Sequence, residues 1–222
     1  MANDFMPMIF SKKADILLRK FTLIAVLGIV GAACGISYYF TPKYTRVGYA
    51  PEQPVPFSHE LHSGKLGMSC LYCHTNVERS PHSNVPSTQT CMSCHAQIKA
   101  TSPLLSPVRE SWASGDPVPW KRIHKVPDYA YFNHSLHINR GVGCISCHGR
   151  VNEMKVVHHD QPLSMGWCLD CHRNPENHLR PLEEIVNFDW KPPVGETQAD
   201  VGRKLIEQFH INPGQNCQGC HR

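Results

Sequence analysis

Cys70-Leu-Tyr-Cys-His74 is the first of five segments of one pattern, followed by Cys91–His95, Cys144–His148, Cys168–His172 and Cys217–His221. Each reads Cys-x-x-Cys-His, the attachment signature of c-type haem. The two thiols, of Cys70 and Cys73, Cys91 and Cys94, Cys144 and Cys147, Cys168 and Cys171, or Cys217 and Cys220, add across the haem vinyl groups. The imidazole that follows reaches under the ring to bind iron, which is why it must adjoin the second cysteine. His74, His95, His148, His172 and His221 are thus the proximal ligands, and the chain is expected to carry five covalently attached haem c groups. A bare Cys-x-x-Cys pair is more often a zinc or dithiol site. With 15 histidines in 222 residues, however, a histidine after all five pairs has chance odds on the order of one in a million.

Five porphyrins must be enclosed by about 180 residues once the N-terminal segment is set aside, so the haems themselves are the expected core. Eighteen prolines and 15 glycines scattered along the chain predict a mostly irregular fold with short α-helices and little sheet. The formal charge of +4 belongs to the polypeptide alone. Haem propionates would move it to about −1 with the irons oxidised and about −6 reduced. The basic residues therefore imply no nucleic-acid partner.

Residues 21–40 form an uncharged run of 20, long enough at 1.5 Å per residue to cross a hydrocarbon core about 30 Å thick. Lys12, Lys13, Arg19 and Lys20 precede it, and Tyr38, Tyr39, Phe40 and Tyr44 lie where an aromatic belt would sit. The positive-inside rule then places residues 1–20 in the cytoplasm and residues 41–222 outside. Haem attachment on the outer face of the bacterial inner membrane agrees, so the chain is expected to be single-pass with a periplasmic haem domain. A cleaved signal peptide has the same basic and apolar order, but the run is long and no clear A-x-A site follows it. Gly31-Ala-Ala-Cys-Gly35 is a weak GxxxG step that would admit a neighbouring helix. Cys34, the one cysteine outside the haem motifs, is read as a packing residue.

Phe57-Ser-His-Glu-Leu-His62 stands shortly before the first motif, and Phe132-Asn-His-Ser-Leu-His137 shortly before the third. Two haem motifs follow each copy, which makes residues 57–95 and 132–172 duplicated units, with residues 173–222 carrying the fifth haem. Histidines at i and i+3 share one side of a helical turn at different heights, so one can serve its own unit's haem and the other a neighbour. The F-x-H-x-x-H pattern before C-x-x-C-H resembles the class III cytochrome c family. That resemblance implies His59 as distal ligand of the haem at Cys70–Cys73, His134 at Cys144–Cys147, and His62 and His137 as ligands of other haems. His124 is the first choice for the fifth distal ligand and Met154 its alternative, with Met165, His158, His159 and His82 also open. A methionine ligand would raise that haem's potential relative to bis-histidine ligation. Residues 100–119, rich in Ser and Pro, read as a linker. Thr197 to Asp200 reads as a capping box, opening a helix whose Val201, Leu205, Ile206 and Phe209 form one apolar stripe. Residues 180–193 carry no assignable chemistry.

The N-terminal span, Pro54-Val-Pro-Phe-Ser-His-Glu-Leu-His62, His124-Lys-Val-Pro-Asp-Tyr-Ala-Tyr-Phe-Asn-His134 and Pro162-Leu-Ser-Met-Gly-Trp-Cys-Leu-Asp-Cys-His172-Arg173 together resemble the pentahaem subunit of alternative complex III over nearly the full length. The resemblance implies a bacterial quinol-oxidising complex. Its expected partners are an iron-sulfur subunit of the molybdopterin-oxidoreductase type, polytopic membrane subunits and a monohaem cytochrome c. Electrons would leave toward a soluble cytochrome c, a copper protein or a terminal oxidase. The chain would then be an electron-transfer subunit and not itself an enzyme, and the absence of a C-x-x-C-Lys motif agrees. The runner-up is a self-sufficient membrane-anchored multihaem quinol dehydrogenase feeding a periplasmic reductase. A free-standing haem-storage or extracellular-wire cytochrome is a third reading, one that gives the anchor no clear purpose.

Overall fold

The computed structural model describes residues 11–41 and 46–221. Tyr44 and the first ten residues, on which part of the topology expectation falls, lie outside the described set. The chain divides into two compact units, residues 1–45 and 46–222.

The first unit is one helix, α1 (Lys12–Tyr39). Ser11 caps it by accepting the Ala14 amide, and an Asp15–Arg19 ion pair of 3.0 Å spans its first turns. It begins earlier than the uncharged run because Ala14, Ile16, Leu17 and Leu18 extend the apolar pattern between the basic residues. With 28 residues and a mean hydropathy of 2.0 in its apolar window, it is long and apolar enough to cross a membrane. None of its side chains is buried.

The second unit is helix-rich, with no strand among its described residues and a lone antiparallel bridge between Val142 and Leu179. Four short helices lie within the haem motifs or nearly so: α2 (Cys70–Cys73), α3 (Thr88–His95), α6 (Ile145–His148) and α9 (Cys217–Cys220). Between them come α4 (Ser106–Ser114) and α5 (His134–Ile138). The fourth motif lies on α7 (Met165–Arg173), and α8 (Gln198–Phe209) precedes the fifth. A π-helical turn, Glu60–Lys65, follows His59. Conventional core is scarce. One buried cluster joins Val77, Ile138 and Ile185, and the other joins Leu179, Val201 and Leu205. This is the pattern of a chain that relies on cofactors for its interior.

Two expectations about local structure can be compared directly. Thr197 and Asp200 do form a reciprocal capping box, and the Val201/Leu205/Ile206/Phe209 stripe is core, packed with Val142 and Trp190. The 100–119 segment, by contrast, is not a plain linker. It contains a 3-10 turn at Pro103–Leu105 that runs into α4. The reason is Pro107 in the first turn of α4, where its missing N–H costs nothing, together with buried Val108 and Ser111. Ser111 exchanges a 2.6 Å hydrogen bond with Thr88 and donates to Asp116 O, so this helix braces α3 and the second haem motif.

Residues 180–193 acquire a packing role that their sequence did not disclose. Ile185 enters the first core cluster and accepts the Cys144 amide through its carbonyl at 3.0 Å. Trp190 enters the second and lies under the Arg180 guanidinium at 5.2 Å. Gly202 sets how closely α8 approaches the 175–177 turn, because a Cβ there would collide with the Glu176 backbone. Gly202→Ala is expected to cost about 1–3 kcal/mol by overpacking. That corresponds to a fall in melting temperature of roughly 2–4 °C per kcal/mol. Thermal denaturation followed by circular dichroism checks it; an unchanged midpoint would mean that α8 is free to move.

Candidate haem-binding sites

The two F-x-H-x-L-H segments adopt the same arrangement. Phe57 meets His59 edge-on at 4.9 Å and stacks on His62 at 4.3 Å. Phe132 meets His134 edge-on at 4.7 Å and stacks on His137 at 4.5 Å. In each copy the second histidine turns back on its own segment: His62 Nδ1 donates to Ser58 O at 2.9 Å and His137 Nδ1 to Asn133 O at 2.8 Å. A carbonyl can only accept, so the proton must sit on Nδ1, leaving the Nε2 lone pair free.

The same tautomer is imposed on six further rings. The Nδ1 atoms of His74, His95, His172 and His221 donate to Asn84 O (2.8 Å), Ile98 O (2.9 Å), Gly214 O (2.7 Å) and Tyr129 O (3.0 Å). His134 and His159 donate to Pro81 O at 3.0 Å and Ile123 O at 3.2 Å. Eight imidazoles are therefore fixed in rotation, with Nε2 available to iron.

Ring positions define pairs. Two metal–nitrogen bonds of about 2.0 Å in line put the centroids of opposed imidazoles roughly 6 Å apart. His62 and His95 stand at 6.2 Å, and His137 and His172 at 6.1 Å. In both units the second histidine of the F-x-H-x-L-H segment thus faces the proximal histidine of that unit's second motif. These residues fit a haem between them.

Around His74 and His148 the histidines are crowded. His124 lies 4.4 Å from His148, edge-on, and stacks on His159 at 5.2 Å. His59 is electrostatically coupled to His74, and His134 to His82 and His74. His59 Nδ1, His124 Nε2 and His159 Nε2 are buried without a hydrogen-bond partner. Such atoms cost about 1–3 kcal/mol each unless something takes them up, and iron or haem edge groups would. His159, not a leading sequence candidate, is the one fully buried large side chain among the described residues, with 0% exposure. Its backbone amide donates to Tyr49 O and its carbonyl accepts from Gly48, fastening residues 48–49 beneath the His124 pocket. Met154 is buried, Met165 is 67% exposed, and His158 approaches Asp160 at 3.8 Å. The ring beside His221 is Tyr129, at 5.7 Å.

Burial sets the electrostatics. It lowers His59 and His124 to a pKa of about 4 and His148 to about 3, with neighbouring imidazoles adding to the effect. Burial likewise raises the Cys144 and Cys171 thiols to about 11 and Cys147 to about 12. Neighbouring thiols reinforce these shifts in adjoining pairs: Cys91 acts on Cys73, Cys70 on Cys144, Cys171 and Cys168 on Cys147, and Cys220 on Cys168. Asn84 is a brace that motif reading missed. Besides holding His74 through its carbonyl, it accepts the Asn76 amide and donates to Cys73 O. Gly149, directly after His148, has φ +63°, and the Asp160 carboxylate occupies the space a Cβ would need.

Comparison with known proteins gives the chain's relatives. Residues 55–111 match the family model of cytochrome c7 and related cytochrome c. The chain is also 32% identical over 149 residues to the menaquinone reductase, multiheme cytochrome c subunit, of Nitratidesulfovibrio vulgaris (strain Hildenborough). The alignment covers 58% of this chain and 70% of that relative.

The depressed histidines predict an acid dependence of stability. In the unfolded chain these imidazoles take a proton near the ordinary value of 6.5, whereas the folded chain holds them neutral to about 4 or 3. The unfolded state therefore binds more protons across that window. Stability should be full above pH 6.5 and fall progressively as the pH drops toward 3. Melting temperature measured against pH checks this, and a flat profile between pH 6.5 and 4 would contradict the burial of these rings.

Proposed function

The chain belongs to the family of multihaem cytochrome c electron-transfer subunits that includes the menaquinone reductase subunit, and from this premise we propose that it is the five-haem relay of an alternative complex III. In this reading residues 1–20 are cytoplasmic, α1 anchors the chain in the bacterial inner membrane, and residues 41–222 are periplasmic. Quinol is oxidised in a neighbouring membrane subunit. Electrons reach this chain by way of an iron-sulfur partner, and leave through a monohaem cytochrome c toward a soluble cytochrome c, a copper protein or an oxidase.

The observation that carries the relay reading is the pair of opposed imidazoles, His62/His95 at 6.2 Å and His137/His172 at 6.1 Å. Two histidines on one iron leave no open position for a substrate, which favours electron carriage over catalysis at those sites. Bound haem c supplies a one-electron iron couple whose potential its axial ligands set. The chain's own residues hold eight of the rings in rotation through the Nδ1 hydrogen bonds.

A second reading has a specific support. The relative is named as a menaquinone reductase subunit, which puts quinone at the receiving end of the electrons. The same scaffold would then carry electrons from a soluble donor toward a membrane quinone site. Two-way use is compatible with a relay, because a one-electron iron couple passes electrons in either direction according to the potentials of its neighbours.

Purification of the native protein in mild detergent, with subunit identification and quinol-reduction kinetics, separates these readings. Co-purification with iron-sulfur and polytopic subunits, and haem reduction by quinol in the complex alone, is the expected result. Reduction of the isolated chain by quinol would establish the self-sufficient dehydrogenase instead. Faster transfer from a reduced soluble cytochrome to menaquinone than in the opposite direction would select the reductase reading.

His62→Ala and His137→Ala are each expected to convert one low-spin haem to high spin while leaving the haem content unchanged. Electron paramagnetic resonance and pyridine haemochrome assay measure the two quantities. An unchanged low-spin population in either variant would remove that histidine from the ligand set.

A further inference from the structure

We propose that the five attachment sites form a single row in the order second, first, third, fourth, fifth, with the Cys91–His95 and Cys217–His221 sites as the two ends where electrons enter and leave. The inference rests on reading all five motifs as haem sites.

Each step in the row is a structural contact. His62 faces His95 of the second site, while its carbonyl accepts the Met68 amide, two residues before Cys70 of the first. One short segment therefore borders both sites. The first and third are joined by the Val77/Ile138/Ile185 cluster with Leu71 beside it, and Ile185 O receives the Cys144 amide. Asn139 Nδ2 also donates to Glu78 O at 2.9 Å, and His134 to Pro81 O, which ties the second repeat to the loop after His74.

The third and fourth meet through α5. His137 faces His172, while its carbonyl accepts the Val142 amide, two residues before Cys144. The fourth and fifth meet where His172 Nδ1 donates to Gly214 O and Gln215 Nε2 to His172 O, just ahead of Cys217. The adjoining thiol pairs described above fall in the same sequence.

Exposure supports the choice of ends. Cys94 of the second site and Cys217 of the fifth are the exposed motif cysteines. The third site, in the middle of the row, is half-buried throughout, and desolvation there moves the Cys147 thiol and the His148 ring furthest. A row with a half-buried centre and accessible termini is what a relay between two partners requires, since each partner must approach one haem edge closely. One contact offers a branch. Tyr131 N donates to Cys220 O and His221 Nδ1 to Tyr129 O, which brings the fifth site against the segment leading to His134. A fifth site coupled directly to the third would break the row there.

Anomalous iron scattering from the whole haem-loaded chain, or an iron map of its complex, locates the five irons without any substitution. The expected shortest iron–iron separations run second–first, first–third, third–fourth and fourth–fifth. A fifth iron nearer the third than the fourth, or a second iron nearer any iron than the first, overturns the order.

Haem removal tests the consequence in the complex. Cys144→Ala with Cys147→Ala is expected to leave four haems, two of which reduce rapidly and two slowly. Cys168→Ala with Cys171→Ala should isolate one haem from three. Rapid reduction of all four in either variant overturns the row. Pyridine haemochrome counts on the unmodified protein are measured first, because a count other than five would refute the reading of the motifs and not the order of the sites. If a variant fails to mature, the iron map still decides.

Discussion

The hydrogen bond from an imidazole Nδ1 to a backbone carbonyl is the constraint on which this structure depends. A free histidine side chain rotates and exchanges tautomers, and a ligand that did so would hold iron poorly. Here the carbonyls of Ser58, Asn84, Ile98, Pro81, Asn133, Ile123, Gly214 and Tyr129 each fix one ring. These carbonyls come from turns and helix ends, where backbone acceptors are left over from regular pairing. That gives an irregular chain a positive role: loops supply acceptors in directions that long helices and sheets would have used internally.

The scarcity of ordinary core follows from the same economy of length. Two small clusters, around Ile185 and around Leu205, do not fill the second unit. One holds the seam between the repeat units, where Ile138 of the second meets Val77 of the first, and the other closes α8 on residues 175–179 within the C-terminal unit. Burying a Leu or Ile contributes about 1.5–3 kcal/mol, so each cluster is modest by itself. A covalently attached haem stays on the unfolded chain, so what it would add to stability is the axial ligation and burial made only in the folded state. Folding and axial ligation are on this account coupled, with the orphaned nitrogens of His59, His124 and His159 as the places where the polypeptide by itself is least satisfied.

Duplication explains why the ligand pairs match so well. Each F-x-H-x-L-H segment uses one phenylalanine to hold two imidazoles, the first edge-on to its ring and the second face-on. Because the two copies have the same internal geometry, the two units present their second motifs to equivalent partners. The junction between units is where equivalence ends. His124 precedes the second unit and His159 lies between that unit's two motifs, and the two rings stack beside His148.

The Cys-x-x-Cys-His segments, the duplicated histidine segments, the apolar N-terminal helix and the Thr197–Asp200 cap were legible in the sequence, because each is written in residues that are neighbours along the chain. Local chemistry suffices there: a thiol pair and its histidine share one helical turn, and a cap lies three residues from what it caps. Only the tertiary structure decided that His62 meets His95 and His137 meets His172, that α4 braces the second motif, and that Arg180, Ile185 and Trp190 are packing residues. It also brought His124 against His148 and His159, and His59 and His134 within electrostatic reach of His74. Those outcomes depend on which segments are brought together across the repeat seam, and that is fixed by burial and by backbone acceptors whose direction no motif records.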